Sequence, residues 1–139
     1  MTDVDIILLS RFYQISKISV MQYEHFLTKI KPEYQTIISN QMTNYDVLSK
    51  ECCTLAKSHN ISLPDHLFFK RCKQVIDDNL CSIKINLDTI IACLSIGRLH
   101  TLTEIYDVEQ ANSETVLIGK HLLALQDNNL QTLLQLKNQ

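Results

Sequence analysis

Four side chains in this sequence are candidates for a metal site: Glu24, Glu51, His100 and Glu104. His100 and Glu104 are four residues apart, so on a helix they project from one face. Di-iron helical bundles use one glutamate from each of two helices and a Glu-x-x-His motif from each of the other two. None of the six glutamates is followed by a histidine three residues later. The sequence therefore favours solvated surface contacts for these side chains, with metal binding as the alternative.

The cysteines form no Cys-x-x-Cys pair; they are Cys52, Cys53, Cys72, Cys81 and Cys93. Cys52 and Cys53 are adjacent, so on a helix their side chains diverge by about 100° and do not readily bind one ion together. We interpret the cysteines as buried free thiols in a reducing compartment, with a disulfide or a reactive thiol as alternatives. Cys93 and His100 share a helical face, but a buried thiol and a partly exposed imidazole are favoured over a catalytic pair.

Other catalytic motifs are missing from the sequence. The chain has two glycines, Gly97 and Gly119, and no G-x-S-x-G sequence. A nucleophile elbow and a glycine-rich phosphate loop both depend on such glycines. The sequence therefore predicts a protein that is not an enzyme and that needs no cofactor.

Charge and hydropathy argue against nucleic-acid and membrane partners. The net charge is −2, which gives no general attraction to phosphate groups. The tightest basic group, Lys70, Arg71 and Lys73, is interpreted as a solvated helix face. The longest apolar run, residues 6–9, is far shorter than the ~20 residues of a membrane span. The acidic start, residues 1–5, predicts a cytoplasmic protein, or a periplasmic or exported one if a signal segment has been removed.

The elements that position these residues are helices, because the chain has only two prolines and two glycines. Thr2 and Asp5 form a capping-box pattern ahead of a first helix that ends at Pro32. A second helix ends near residues 59–60, and the short connector to Pro64 makes the two helices an antiparallel hairpin. Both carry an apolar stripe at steps of three and four residues.

The second half of the chain predicts one short helix and two long ones. A single helix from Asp65 to Tyr106 would span about 60 Å, so we expect a break between residues 77 and 88, where Asp and Asn favour caps. This gives a short helix near residues 65–76 and a long helix ending near Tyr106. Gly97 lies inside this long helix, where the small residue predicts close packing by a neighbouring helix. The last helix begins near Asn112–Ser113, with Ser113 or Asn112 as its cap. Its leucine-rich face, residues 122–136, is either surrounded by the bundle or covered by a second subunit.

Two segments, residues 42–46 (MTNYD) and 53–64 (CTLAKSHNISLP), resemble a bacterial ferritin-like family of four-helix-bundle domains of unknown function. Members have a methionine followed by Asp-His, a Leu-Ala helix end and Leu-Pro after a polar turn. The resemblance is most specific over residues 12–64, and His100 falls where a second family histidine lies. This chain has Tyr45–Asp46 in place of the Asp-His pair. The family is usually exported and has no established activity, so the resemblance implies a fold only.

The sequence thus predicts one all-α domain over residues 1–139, an antiparallel up-down-up-down four-helix bundle of ferritin-like shape with an extra short helix. We expect a non-enzymatic protein that acts through contacts with an unknown protein partner or with itself. The alternative is a bundle that binds a metal or a small ligand, with Glu24, Glu51, His100 and Glu104 as the metal ligands. The five tyrosines are interpreted as core residues whose hydroxyls reach the rim, with a polar ligand pocket as the alternative.

Overall fold

The computed structural model describes residues 1–105 and 113–139, and these two ranges are helical. They contain five α-helices: α1 Asp3–Lys29, α2 Gln35–Ser58, α3 His66–Leu80, α4 Leu87–Ile105 and α5 Ser113–Lys137. A short 3₁₀ helix, Pro32–Tyr34, precedes α2. No strand occurs in the described ranges, and the predicted all-α class is confirmed.

The helix boundaries in the first half follow the capping residues in the sequence. The Thr2 hydroxyl accepts from the backbone N–H of Asp5, and the Asp5 carboxylate accepts from the backbone N–H of Thr2, which is the predicted capping box. Pro32 occupies the first position of the 3₁₀ helix, where its missing N–H removes no hydrogen bond. At the end of the connector, Asp65 caps α3 by accepting from the backbone N–H of Phe68.

The predicted break in the third segment lies between Leu80 and Leu87. Asn86 marks it, because its side-chain oxygen accepts from the backbone N–H of Thr89 at 3.0 Å. Asn86, at the far end of the predicted interval, is therefore the cap, and α3 continues past its predicted end near residue 76 as far as Leu80. The predicted end near Tyr106 and a cap at Asn112 lie outside the described residues.

Helix α3 packs on the outside of α1 and runs parallel to it. In the first half of both helices the rings of Tyr13 and Phe69 meet edge to face, with their centroids 5.4 Å apart. Towards the other end, the His25 Nδ1 atom lies 3.3 Å from an Asp77 carboxylate oxygen. Since α1 and α2 form an antiparallel hairpin, α3 carries the chain back along the bundle before α4 begins.

Because α3 runs back along the bundle parallel to α1, it sets the direction of α4 and α5. Arg11, near the start of α1, pairs with Glu104 at the end of α4. At the other end of the bundle, Lys29 of α1 and Asp88 of α4 line one cavity, and Asp88 pairs with Lys137 of α5. Helix α4 is thus antiparallel to α1, and α5 is parallel to α1. The helices α1, α2, α4 and α5 run up, down, down and up, so the predicted alternation among four helices is not the observed order.

The core lies between these four helices and includes the leucine-rich helix α5. Leu122 and Leu133 have no exposed surface, and α5 contacts α4, α2 and α1. The structure supports the interpretation in which the other helices of the bundle surround this face. Leu134 is the large apolar side chain that stays exposed between residues 122 and 136. A second subunit is not needed to cover this face.

A polar cluster is buried within this apolar core. The Tyr23 hydroxyl donates to the Gln41 side-chain oxygen at 2.6 Å, and the Gln41 amide donates to the Asn129 carbonyl oxygen at 3.3 Å. Tyr23 and Tyr45 are 1% and 0% exposed, and their ring centroids are 5.5 Å apart. Their hydroxyls therefore lie inside the bundle, so the expectation that tyrosine hydroxyls reach the rim is wrong for these two residues.

Burial of the two tyrosines makes stability sensitive to alkaline pH. Burial is the main cause that raises the pKa of Tyr23 and Tyr45 above the ordinary value of 10.0. Above about pH 10 the unfolded chain loses these protons while the folded chain keeps them, so the free energy of unfolding falls as pH rises. We expect a loss of about 1.4 kcal/mol per pH unit for each buried tyrosine.

Urea denaturation of the wild type and of Tyr23→Phe between pH 8 and pH 11 measures this effect. The variant lacks one of the titrating groups, so its stability should decline less steeply above pH 10. Gln35→Leu, which removes no titrating group from an exposed position, serves as the control and should retain the wild-type pH dependence. Equal pH dependence in the wild type and Tyr23→Phe would contradict the interpretation.

Candidate functional site: the α1–α4 groove and the outer face of α4

Three of the four candidate metal ligands, the glutamates, each lie beside a different basic side chain. Glu24 lies 3.9 Å from the Lys73 ammonium, and a Glu51 oxygen lies 3.9 Å from the His121 Nδ1 atom. Glu104 pairs with an arginine. Across residues 1–105 and 113–139, no group of three or more His, Cys, Asp or Glu side chains is arranged to hold a metal ion. The structure does not bring the four candidate ligands together.

His100 and Glu104 do lie together at a groove of about 390 Å³ between α1 and α4. There Glu104 accepts two hydrogen bonds from one Arg11 nitrogen, at 2.7 and 2.8 Å. Such surface pairs contribute about 0–1 kcal/mol to stability. The Glu104 carboxylate therefore already pairs with a side chain of α1. His100 is exposed at the rim of the groove.

The Cys93 thiol also lines this groove, and it is partly buried. Burial raises the pKa of Cys93 above its ordinary value, which disfavours the nucleophilic thiolate form. Seven residues of helix separate Cys93 from His100, a rise of about 10 Å. A nucleophile and its base need a hydrogen-bond distance of about 3 Å, so the arrangement favours a structural thiol over a catalytic pair.

The groove continues onto an exposed face of α4 that carries no charge. This face, called the α4 face below, consists of Ala92, Ser95, Ile96, Leu99 and Thr103, all of them exposed. Their spacing of three and four residues places them on one side of the helix. Ile96 is 57% exposed and Leu99 is 61% exposed, the two highest values among the large apolar side chains of α4.

Charged side chains border the α4 face, and each is neutralised by a partner within the chain. Arg98 donates to the Asp127 carboxylate of α5. Arg11 donates to Glu104 on the opposite edge. The face therefore combines exposed apolar surface with two bordering arginines that already have partners, an arrangement that suits contact with another apolar surface.

The α4 face was not identified from the sequence. It lies apart from Ile90 and Leu94, the buried apolar residues of the same helix. The available signal was the stretch from Thr89 to Gly97, nine residues without a charge. A helix that is apolar on all sides is usually enclosed, and α4 packs against α1 and α5 while leaving its outer side exposed.

Comparison of the chain with protein-family models, with curated proteins and with solved structures finds no match. The resemblance to the ferritin-like family therefore stays a prediction. Within the described ranges, none of the helices combines the length and hydropathy required to cross a membrane.

Proposed function

We propose that this protein is a non-enzymatic helical bundle that pairs with a second copy of itself through the α4 face. The observation that carries the proposal is the exposure of Ile96 and Leu99 on a helix face without charge. Exposed apolar patches of this kind on folded proteins commonly mark interaction sites. We keep the self-association predicted from the sequence, but we assign the contact to α4 instead of α5.

The spacing of the α4 face suits a two-fold symmetric contact between antiparallel helices. With the symmetry axis between positions 96 and 99, Ile96 of each copy would face Leu99 of the other. Ala92 would then face Thr103, so small side chains lie at both ends of the contact. Symmetric pairing uses the same patch on both copies, and this patch is complementary to its own reversed copy.

The charged side chains at the edges of the α4 face favour a second copy of this chain over an acidic or basic partner. Arg98 and Arg11 are paired with Asp127 and Glu104 within the chain. Two copies of the α4 face would therefore meet without bringing unpaired like charges together. A strongly charged partner would find no unpaired ion on this face to bind.

The expected affinity is modest, because each copy contributes two large apolar side chains. Complete burial of a leucine or isoleucine contributes about 1.5–3 kcal/mol, and these side chains are already partly covered. Association costs at least about 4 kcal/mol in lost translational and rotational freedom. We therefore expect a dissociation constant on the order of 1 mM.

Ile96→Lys is expected to raise the dimer dissociation constant at least about tenfold, because it places a charge in an apolar contact. Val75→Lys is the matched control, since Val75 is 57% exposed, the same fraction as Ile96, but lies on α3. Sedimentation equilibrium over about 10 µM to 1 mM measures the constant. A wild type that remains monomeric at the upper concentration, or equal dissociation of both variants, would overturn the proposal.

The order of helix directions supports a ferritin-like arrangement as part of this proposal. Ferritin-like bundles consist of two antiparallel hairpins joined by one long crossover. Here α1 and α2 form one hairpin, α4 and α5 form the other, and α3 lies in the connection between them. We propose that α3 serves as the crossover in a bundle of this shape without its metal ligands.

A further inference from the structure

A cavity of about 630 Å³ lies at the end of the bundle opposite the Arg11–Glu104 pair. The end of α1, the 3₁₀ helix, the start of α4 and the end of α5 meet there. Cavities of about 300–1,000 Å³ are typical of small-molecule sites. The size and the convergence of four elements make this cavity a candidate for ligand binding.

The charge of the cavity lining is opposite in sign to that of the whole chain. Four lysines line it, Lys29, Lys31, Lys84 and Lys137, against one carboxylate side chain, Asp88. The chain as a whole carries a net charge of −2. Positive charge is therefore concentrated at this end of the bundle beyond what the composition predicts.

Two of these lysines have structural roles, and two have none in the described residues. Lys137 pairs with Asp88 at 2.6 Å, and Lys29 donates to the backbone carbonyl of Cys81 at 2.8 Å. Both lie in the last turn of a helix, where cations interact favourably with the carbonyl ends. Lys31 and Lys84 are exposed, and within residues 1–105 and 113–139 neither forms an ion pair.

The lining adds apolar surface to this positive charge. Ile30, Ile85 and Leu136 form apolar parts of the wall, and Ile83 stands 43% exposed beside it. Tyr34 adds an aromatic ring with a hydroxyl group. A ligand that fills this cavity would place an anionic group near the lysines and an apolar body against the isoleucines.

We propose that this cavity binds a small organic anion with an apolar or aromatic body, a phosphate monoester or a carboxylate. Lys31 and Lys84 would contact the anionic group. The apolar wall distinguishes such a ligand from inorganic phosphate, which offers no surface to bury.

Isothermal titration with phenyl phosphate, inorganic phosphate and benzyl alcohol separates the contributions of charge and apolar body. The wild type should bind phenyl phosphate more tightly than either other compound. In the double variant Lys31→Gln/Lys84→Gln, binding of phenyl phosphate should weaken about tenfold. The control Lys57→Gln/Lys120→Gln removes the same charge from exposed positions outside the cavity lining and should bind like the wild type.

Asp88→Asn is a second variant, and it is expected to strengthen the binding of phenyl phosphate instead of weakening it. It removes the carboxylate of the cavity and releases Lys137, so phenyl phosphate should bind about threefold more tightly. Circular dichroism confirms that each variant is folded before titration. No heat of binding in the folded wild type, equal weakening in both double variants, or equal affinity for phenyl phosphate and inorganic phosphate would each overturn the proposal.

Discussion

Gly119→Ala is expected to lower the free energy of unfolding by about 1–3 kcal/mol, although alanine is the better helix former. A Cβ atom at Gly119 would lie 2.6 and 2.9 Å from the Cζ and Cε2 atoms of Phe12. The Phe12 ring has no exposed surface and is enclosed by the core. It cannot move aside without disturbing its neighbours, because protein interiors are close-packed.

Gly97→Ala is the control for this experiment, since Gly97 also lies inside a helix. A Cβ atom there would be 3.5 Å from the Gln126 side-chain nitrogen, an ordinary contact. This variant should gain about 0.5–1 kcal/mol from the higher helix propensity of alanine. Urea denaturation of both variants measures the two effects. Equal stabilisation by both substitutions would show that α5 does not approach Phe12 as closely as described.

Gln41→Leu is expected to destabilise the protein by about 1–3 kcal/mol, because it leaves the buried Tyr23 hydroxyl without its acceptor. The hydroxyl and the Gln41 oxygen are 2.6 Å apart, and both side chains are at least 95% buried. Leucine is close to glutamine in size. The loss of stability therefore measures the effect of the unpaired Tyr23 hydroxyl more than a change in packing.

A double-mutant cycle with Tyr23→Phe isolates this contact. Removing both partners leaves no buried hydroxyl unpaired, so the double variant should lose less stability than the two single variants added together. Gln35→Leu, at an exposed position in the same helix, should change stability by less than about 0.5 kcal/mol. Strict additivity in the cycle would mean that the Tyr23–Gln41 hydrogen bond contributes nothing to folding.

The helix ends were predictable because they depend on local chemistry. The capping box at Thr2, the proline at position 32 and the cap at Asp65 each act on residues within a few positions. The apolar stripes were predictable for the same reason: Phe12, Tyr23 and Phe26 follow a helical spacing and are buried. Spacing along the chain is sufficient to identify which face of an amphipathic helix turns inward.

The candidate site was less predictable, because it depends on how helices meet. The sequence places Glu24 and Glu51 on helices that pack against each other, yet each carboxylate lies beside a side chain of a different helix, Lys73 of α3 and His121 of α5. Likewise α5 has the denser leucines, but α1, α2 and α4 surround it. The exposed face belongs to α4, whose apolar residues extend beyond the sides that its neighbours cover.

The sequence by itself determined the all-helical class, most helix ends and the inward faces of the first two helices, because these follow from interactions between residues close in the chain. Only the tertiary structure decided the direction of α4 and α5, the burial of the Tyr23–Gln41 pair and the meeting of four lysines at one end of the bundle. The direction of α4 and α5 depends on α3, which returns the chain along α1 before the second hairpin begins. The packing of α3 on α1 joins residues about fifty positions apart, and no local spacing in the chain encodes such a contact.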